Sequence, residues 1–423
     1  MRLLQITAAL ALCSTFSGKI NVMAKSGTFL HVTDIHLDEH YLEKSDPATN
    51  CHRKDGDKSK NTAGHFGTLG SDCDSPVSLV DSVFDFMKGA AFQDVDFIVY
   101  TGDTARHDRD SKLKRTDSDI LAAHKKVLSY FSKTFDMNKV TLLPTLGNND
   151  MFDHNAMNVA ESDKNSMNIL EDLKQLWKPL DLNLTSDFSN GGYFVQNIAN
   201  GPSVISLNSM YFFTSNTEVS DCDKAGSPGA EELVWLEGQL QEVQRSNKKA
   251  YLMSHVPPVD KSDILYKSKC YSQYVNLLGK YSEVIAAHLT GHTNDDNLAV
   301  LYKNGKDYSL TGLSKKVNID FKTNDIVGVL TNAPSVLPQN NPGIRVYQYD
   351  QSDYTILGWD QYSTDLKKAN KNNRITWQKE YSSGQVYGVQ KLDASGWRSV
   401  VQKLKTSKKV FNKYKSFIKV EGI

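Results

Sequence analysis

Asp34, His36, Asp103, Asn148, Asn149, His255, His292 and Asn294 are the residues of this chain whose types could do chemistry together. They fall in five short motifs in one order: Asp34-Ile35-His36, Gly102-Asp103, Gly147-Asn148-Asn149-Asp150, His255-Val256-Pro257-Pro258 and Gly291-His292-Thr293-Asn294. Carboxylate and amide oxygens suit Mg²⁺ or Mn²⁺, while imidazole suits Zn²⁺, Fe or Co²⁺. A mixed set can therefore hold divalent cations without fixing which. Two such ions about 3.5–4 Å apart can clamp the attacking and leaving oxygens of an in-line displacement at phosphorus. One Asp-x-His pair alone would carry little weight; five motifs in order, each at the end of an apolar run, carry more.

The apolar runs are Thr28 to Thr33, Val95 to Thr101, Val140 to Leu146, Ala250 to Ser254 and Val284 to Thr290. Short apolar or β-branched runs ending in polar loops predict buried strands, and ligands of α/β proteins gather beyond the carboxyl ends of such strands. A helix is predicted from Ser75-Pro76, with Val80, Val83, Phe84, Met87 and Ala91 on its apolar face. Further helices are predicted from about Asp119 to Phe135, from Ser227-Pro228 with Leu233, Leu236, Leu240 and Val243 inward, and from Tyr271 to Tyr281. Strand–helix alternation predicts an α/β sandwich. The runs Ile326 to Leu330, Ile344 to Tyr349 and Tyr354 to Leu357 predict a second sheet packed on the first. Beyond Asp360 the chain turns Lys- and Asn-rich, then reads as helix from about Ser395 to Phe417. Its lysines suit a solvated face, or less readily a polyanion or membrane-surface patch.

With 423 residues the chain can bury a sizeable core, and its 49 Lys+Arg balance 49 Asp+Glu. That balance argues against bulk nucleic-acid binding. Arg2, the apolar run Leu3 to Leu12 and the small residues Ser14 to Gly18 read as a secretory signal within residues 1–24. The run is short for a span, so membrane association through it is not favoured. Cys13 lies in that segment. The even set Cys51, Cys73, Cys222 and Cys270 predicts two disulfides with three possible pairings. Pairing Cys51 with Cys73 and Cys222 with Cys270 closes short loops. Asn183-Leu184-Thr185 is a glycosylation sequon. Secretory pathway, vacuole- or lysosome-like lumen or extracellular space is the expected location.

The order and spacing resemble the calcineurin-like metallophosphoesterases, and among them most closely the fungal endopolyphosphatases. His31-Val32-Thr33-Asp34-Ile35-His36, Cys51-His52-Arg53, Cys73-Asp74-Ser75-Pro76, Thr101 to Asp108, Leu146 to Asp150 with His154-Asn155, and the last two motifs carry the likeness over about residues 28 to 300. Asn341 to Arg345 and Tyr387 to Trp397 are more similar to acid sphingomyelinase-like phosphodiesterases. The resemblance implies a metallophosphoesterase sandwich of two mixed β-sheets flanked by helices over residues 28–360, with a small helical extension, 361–423, packed on it. It implies two divalent ions (Mn, Mg, Co, Zn or Fe). One would sit on Asp34, His36, Asp103 and Asn294, the other on Asp103, Asn148, His255 and His292. Asp103 would bridge them, a hydroxide between them would be the nucleophile, and Asp103, Asn148, Asn149 and His255 would surround the reacting centre.

Many members of the wider superfamily carry His where this chain has Asn149 and Asn294; the endopolyphosphatase pattern shares both asparagines. A phosphate leaving group is already a stable anion, so loss of a general acid (typically about 10²–10⁴-fold) harms phosphoanhydride cleavage least. The implied activity is cleavage of internal bonds of inorganic polyphosphate. The alternatives are a sphingomyelinase-like phosphodiesterase, a nucleotide phosphoanhydrolase, or a non-catalytic polyanion-binding protein. Arg53, Arg106, His107 and Arg109 are the expected basic rim for the substrate, since Arg forks match phosphate.

Overall fold

The computed structural model describes residues 25–158, 164–314 and 316–422; the expected signal, 1–24, lies outside them. The strands of the two main sheets, in chain order, are β1 (Ser26–Val32), β2 (Phe97–Tyr100), β3 (Thr141–Pro144), β4 (Phe194–Asn197), β5 (Ser203–Ser206), β6 (Ala250–Met253), β7 (Ile285–Thr290), β8 (Asn297–Asn304), β9 (Asp307–Gly312), β10 (Asn324–Asn332), β11 (Gly343–Asp350), β12 (Ile356–Ser363) and β13 (Gln378–Ser382). The longer helices are α1 (Val77–Met87), α2 (Asp117–Thr134), α3 (Lys164–Trp177), α4 (Pro228–Arg245), α5 (Ser268–Lys280), α6 (Ala394–Thr406) and α7 (Lys408–Ile418).

One sheet has the order β13-β12-β11-β1-β2-β3 and the other β9-β8-β10-β7-β6-β5-β4. The three strands β1, β2 and β3 run parallel, as do β5, β6, β7 and β10. Their near-continuous burial follows from cover on both faces. Leu30, Val32, Ile98, Tyr100 and Leu142 meet the inward faces of α1 and α2. Phe29 points the other way, stacked 4.7 Å from both Phe97 and Tyr347 and tilted against Tyr251 of the second sheet. Full burial of such a ring contributes roughly 1.5–3 kcal/mol. The metallophosphoesterase sandwich of two mixed sheets with flanking and C-terminal helices is thus the observed fold. Ser227 caps α4 by accepting from the Ala230 amide, with Pro228 in the first turn, as the Ser-Pro pair predicted.

Two expectations change. The runs at 344–349 and 354–357 join the first sheet beside β1, not a second sheet with 326–330. Pairing partner is a long-range choice that a local apolar pattern does not encode. The helix expected over 395–417 is two helices broken at Ser407, whose extended backbone (φ −109°, ψ 101°) lets its hydroxyl cap α7. The segment after 360 also supplies an edge strand, β13. The polar stretch 39–72 has no strand or α-helix and is clipped by Cys51–Cys73; Cys222 pairs with Cys270. Asn183 is exposed in a loop.

Candidate metal centre

The loops after β1, β2, β3, β6 and β7 meet at one edge of the sandwich. They turn sharply there: Asp34, His36, Asp103, His292 and Asn294 all have left-handed backbone, with φ of 50°, 42°, 57°, 71° and 59°. Such residues cost of order 1–3 kcal/mol each and persist where the surroundings over-determine them. Gly147 is required because a Cβ there would collide with the Asp103 carboxylate, and one at Gly291 would strike Thr33 and Asp34.

The geometry crowds carboxylate, amide and imidazole groups from separate strand ends against one another. His36 Nδ1 donates to the Ala105 carbonyl at 3.1 Å, so its Nε2 lone pair faces Asp103 Oδ2 at 3.2 Å and Asp34 Oδ1 at 3.7 Å. His255 Nδ1 donates to the Thr101 carbonyl at 2.7 Å. Its Nε2 lies 3.2 Å from Asp103 Oδ2 and 3.0 Å from Asn148 Oδ1. His292 Nδ1 is 2.8 Å from that same amide oxygen and 3.3 Å from His255 Nε2. Asn148 is turned this way because its amide nitrogen donates to Asn155. The buried Asp34 Oδ1 and Asn294 Oδ1 have no hydrogen-bond partner. Lone pairs converging on one another at these distances need positive charge between them. Two groups meet that need, Asp34–His36–Asp103 and Asp103–His255–His292, sharing Asp103. Burial opposes a charged His36, yet the Asp103 carboxylate pushes its pKa up to about 10. The same contest raises His255 to about 9. Burial dominates at His292, lowering it to about 4. Asp103 itself is held well below the carboxylate range, against its burial, by His255 and His36.

Asn149 binds Asp103 twice, through its backbone amide and its side-chain amide, both at 2.8 Å. It therefore fixes the shared carboxylate. His107 stacks on His36, ring centres 4.2 Å apart, and its Nδ1 donates to Asp74 Oδ1 at 2.6 Å. Asp150, whose place in the fourth-residue slot of its motif was the available signal, accepts from the amides of Asp103 (3.0 Å), Thr104 (2.8 Å) and Gly147 (2.9 Å). Asp74 and Asp150 are the functional positions that residue type alone did not assign.

The expected rim is largely not a rim. Arg106 is buried, and its guanidinium donates to the carbonyls of His107 and Leu113. Both ends of the Arg53 fork are taken by Asp110. Arg109 is exposed beside Asp72. Of the four, His107 alone reaches the centre. Buried backbone carbonyls and a nearby carboxylate satisfied these forks first.

The model of the calcineurin-like phosphoesterase family matches residues 27–296, and the chain belongs to that family: it is a metallophosphoesterase, a hydrolase whose family implies divalent ions. A second match, to the acid sphingomyelin phosphodiesterase C-terminal region, covers residues 315–421. An endopolyphosphatase of Cryptococcus neoformans var. neoformans serotype D is 31% identical over 405 residues, covering 77% of this chain and 58% of its own. The cyclic GMP-AMP phosphodiesterase SMPDL3A of Rattus norvegicus is 32% identical over 400 residues, covering 92% of this chain and 83% of its own. The chain spans 38% to 58% of the length of the first three fungal endopolyphosphatases it matches. Among solved structures, PhoD shares the fold at a TM-score of 0.52 and 11% identity, covering 88% of this chain and 70% of that one.

Proposed function

We propose that the protein cleaves internal phosphoanhydride bonds of inorganic polyphosphate at a centre holding two divalent cations. Asp34, His36, Asp103 and Asn294 hold one ion; Asp103, Asn148, His255 and His292 hold the other. The observation that carries this is the convergence of Asp34, His36, Asp103, Asn148, His255 and His292 around two shared spaces. Bound ions supply charge neutralisation at phosphorus and activation of water. The chain's own residues do the rest. Asn149 and Asp150 pin Asp103. The Thr101 and Ala105 carbonyls hold the Nδ1 protons of His255 and His36, which keeps each Nε2 aimed inward. Asn149, with its amide committed to Asp103, supplies no proton. A leaving phosphate needs none, which favours an anhydride. His107, oriented by Asp74, presents Nε2 to move a proton for any leaving group that does.

A second reading, a phosphodiester hydrolase, has its own support. The rat relative covers most of both chains and the C-terminal match extends the likeness past the metal motifs. Two disulfides suit an oxidising lumen or the extracellular space. Among the described residues no helix is long and apolar enough to cross a membrane.

The test is one panel: purified protein with Mn²⁺, Co²⁺, Mg²⁺ or Zn²⁺ against long polyphosphate, ATP, cyclic GMP-AMP and bis-p-nitrophenyl phosphate. Highest kcat/KM on long polyphosphate, abolished by chelator and by Asp103→Asn, is expected. Turnover confined to the phosphodiesters would select the second reading. Undiminished activity of metal-stripped Asp103→Asn protein would sink both.

A further inference from the structure

We propose that the solvent face of α7 is a second anion site, which holds the body of a long polyphosphate while one of its bonds lies at the metal centre. This deepens, and rests on, the polyphosphate reading above. From Ala394 to Val420 there are eight basic residues and no acidic one, in a chain whose totals balance. Four of the eight are engaged by the protein. Lys403 donates to the Tyr387 carbonyl, Lys405 to that of Ile319 and Arg398 to that of Phe321, while Lys419 pairs with Asp295. Lys408, Lys409, Lys413 and Lys415 are exposed and enter no ion pair among the described residues. Asn412 and Ser416 are the other polar residues of this helix, so no carboxylate interleaves. Lys409 and Lys413 stand at i and i+4, a like-charge pair that weakens a helix. Lys415 rests over the Phe411 ring, but no acid offsets the Lys409–Lys413 repulsion, which a bound polyanion would relieve.

Geometry ties this face to the centre. At 3.6 residues per turn, Lys408, Lys415 and Lys419 lie within about 40° of one another, a stripe about 16 Å long. Its near end is anchored beside the site: the Asp296 amide donates to the Ile418 carbonyl at 3.1 Å, and Lys419 Nζ is 2.8 Å from Asp295 Oδ1. Asp295 follows Asn294 directly. The stripe therefore starts at the lip of the centre and leads away from it. Ammonium groups on flexible stems read charge without demanding one geometry, which suits a repeating chain of phosphates. An anionic bilayer fits less well. Interfacial helices also present apolar anchors, but Tyr414, Phe417 and Ile418 are buried in the core, and among the described residues the large exposed apolar side chains, Leu42, Val234 and Ile264, are on other elements. This face also takes the part that Arg53 and Arg106, already satisfied, do not play.

The experiment compares wild type with the quadruple variant Lys408→Gln, Lys409→Gln, Lys413→Gln, Lys415→Gln in the full, metal-loaded protein. All four positions are exposed, so folding is undisturbed. The KM for long polyphosphate is expected to rise about tenfold, with kcat on tripolyphosphate and on bis-p-nitrophenyl phosphate unchanged. The log–log salt dependence of long-chain binding should flatten by about three, as for four contacts to a single-stranded polyanion. Binding is read separately on Asp103→Asn protein, with and without the four changes, so turnover does not enter. If the wild type hydrolyses no polyphosphate but binds it through these lysines, the activity reading falls and the site stands. If KM, binding and salt slope are unchanged, the site is overturned while the activity is untouched. Lysine-dependent binding to phosphatidylserine vesicles with no change toward polyphosphate overturns it too, in favour of a membrane.

Discussion

Asp150 sits one residue beyond the site proper yet accepts four hydrogen bonds from the backbone that shapes it. Replacing it by Ala removes the acceptor of the Asp103, Thr104, Ala105 and Gly147 amides in a buried place. Each buried unpaired group costs about 1–3 kcal/mol, so Asp150→Ala is expected to lose at least about 3 kcal/mol of unfolding free energy by urea titration. A chemical role is tested at His107. If its Nε2 protonates poor leaving groups, His107→Ala should slow cleavage of an alkyl phosphodiester about 10²-fold or more, yet spare p-nitrophenyl esters and polyphosphate. An equal loss on all three would make the residue structural, a support for the His36 ring it stacks on. That these carboxylate, amide and imidazole groups gather was legible because each follows an apolar run that ends in a polar loop. The arginines misled because a guanidinium within a few residues of a site can turn inward as easily as outward; Leu113, seven residues along, decided it for Arg106.

The long loop from 39 to 72 keeps its shape without regular structure, and two devices hold it. The Cys51–Cys73 disulfide joins residues 22 apart in sequence; removing it as a Cys51→Ser, Cys73→Ser pair should cost about 2–4 kcal/mol. Beside it, His52 lies between two carboxylates, Nδ1 2.7 Å from Asp110 and Nε2 2.9 Å from Asp38. Burial opposes its charge, but both carboxylates raise its pKa above the usual value. A raised histidine pKa stabilises the fold fully below about pH 6.5, and the contribution is lost as pH rises through the folded value. His52→Gln should therefore destabilise the protein more at pH 5.5 than at pH 9, read as the difference in urea midpoint between wild type and variant; an equal difference at both would remove the imidazolium from the account. The loop was legible in its composition and the disulfide in the cysteine count. The ion triad was not, because Asp38, His52 and Asp110 come from three separate segments. Sheet membership failed for the same reason: β11 has the same local pattern as β10 but pairs with β1 through contacts some 300 residues distant, and β12 follows it by pairing with β11.

At the scale of the whole molecule the sandwich contains histidines that its chemistry does not use. His288 is buried between β7 and its neighbours, with Nε2 3.1 Å from the Tyr274 hydroxyl and Nδ1 unpartnered. Burial lowers its pKa to about 3. The unfolded chain takes up this proton near pH 6.5 and the folded one does not, so stability falls as pH drops below about 6.5. At pH 5 the cost is about 2 kcal/mol. His288→Gln, which cannot be protonated, should gain about that much on wild type between pH 8 and pH 5 in paired urea titrations; identical pH profiles would refute it. A protein destined for an acidic lumen would work against this penalty, which makes the measurement informative about where it functions.

Strand β1 opens the described structure, yet its partner β11 lies more than 300 residues later, and the loop carrying Asn294 is clasped by Ile418 and Lys419 at the far end of the chain. Synthesis proceeds at about 5–20 residues per second, so the stretch from Asn294 to Lys419 takes roughly 6–25 seconds to make. During that interval all five motifs have been translated, but β11, which pairs with β1, and then the clasp at Ile418 and Lys419 have still to be made. The site is thus assembled late by its own topology: its motifs are held in register only after residues 343–350 have paired with β1 and Ile418 and Lys419 have closed on the loop beside Asn294.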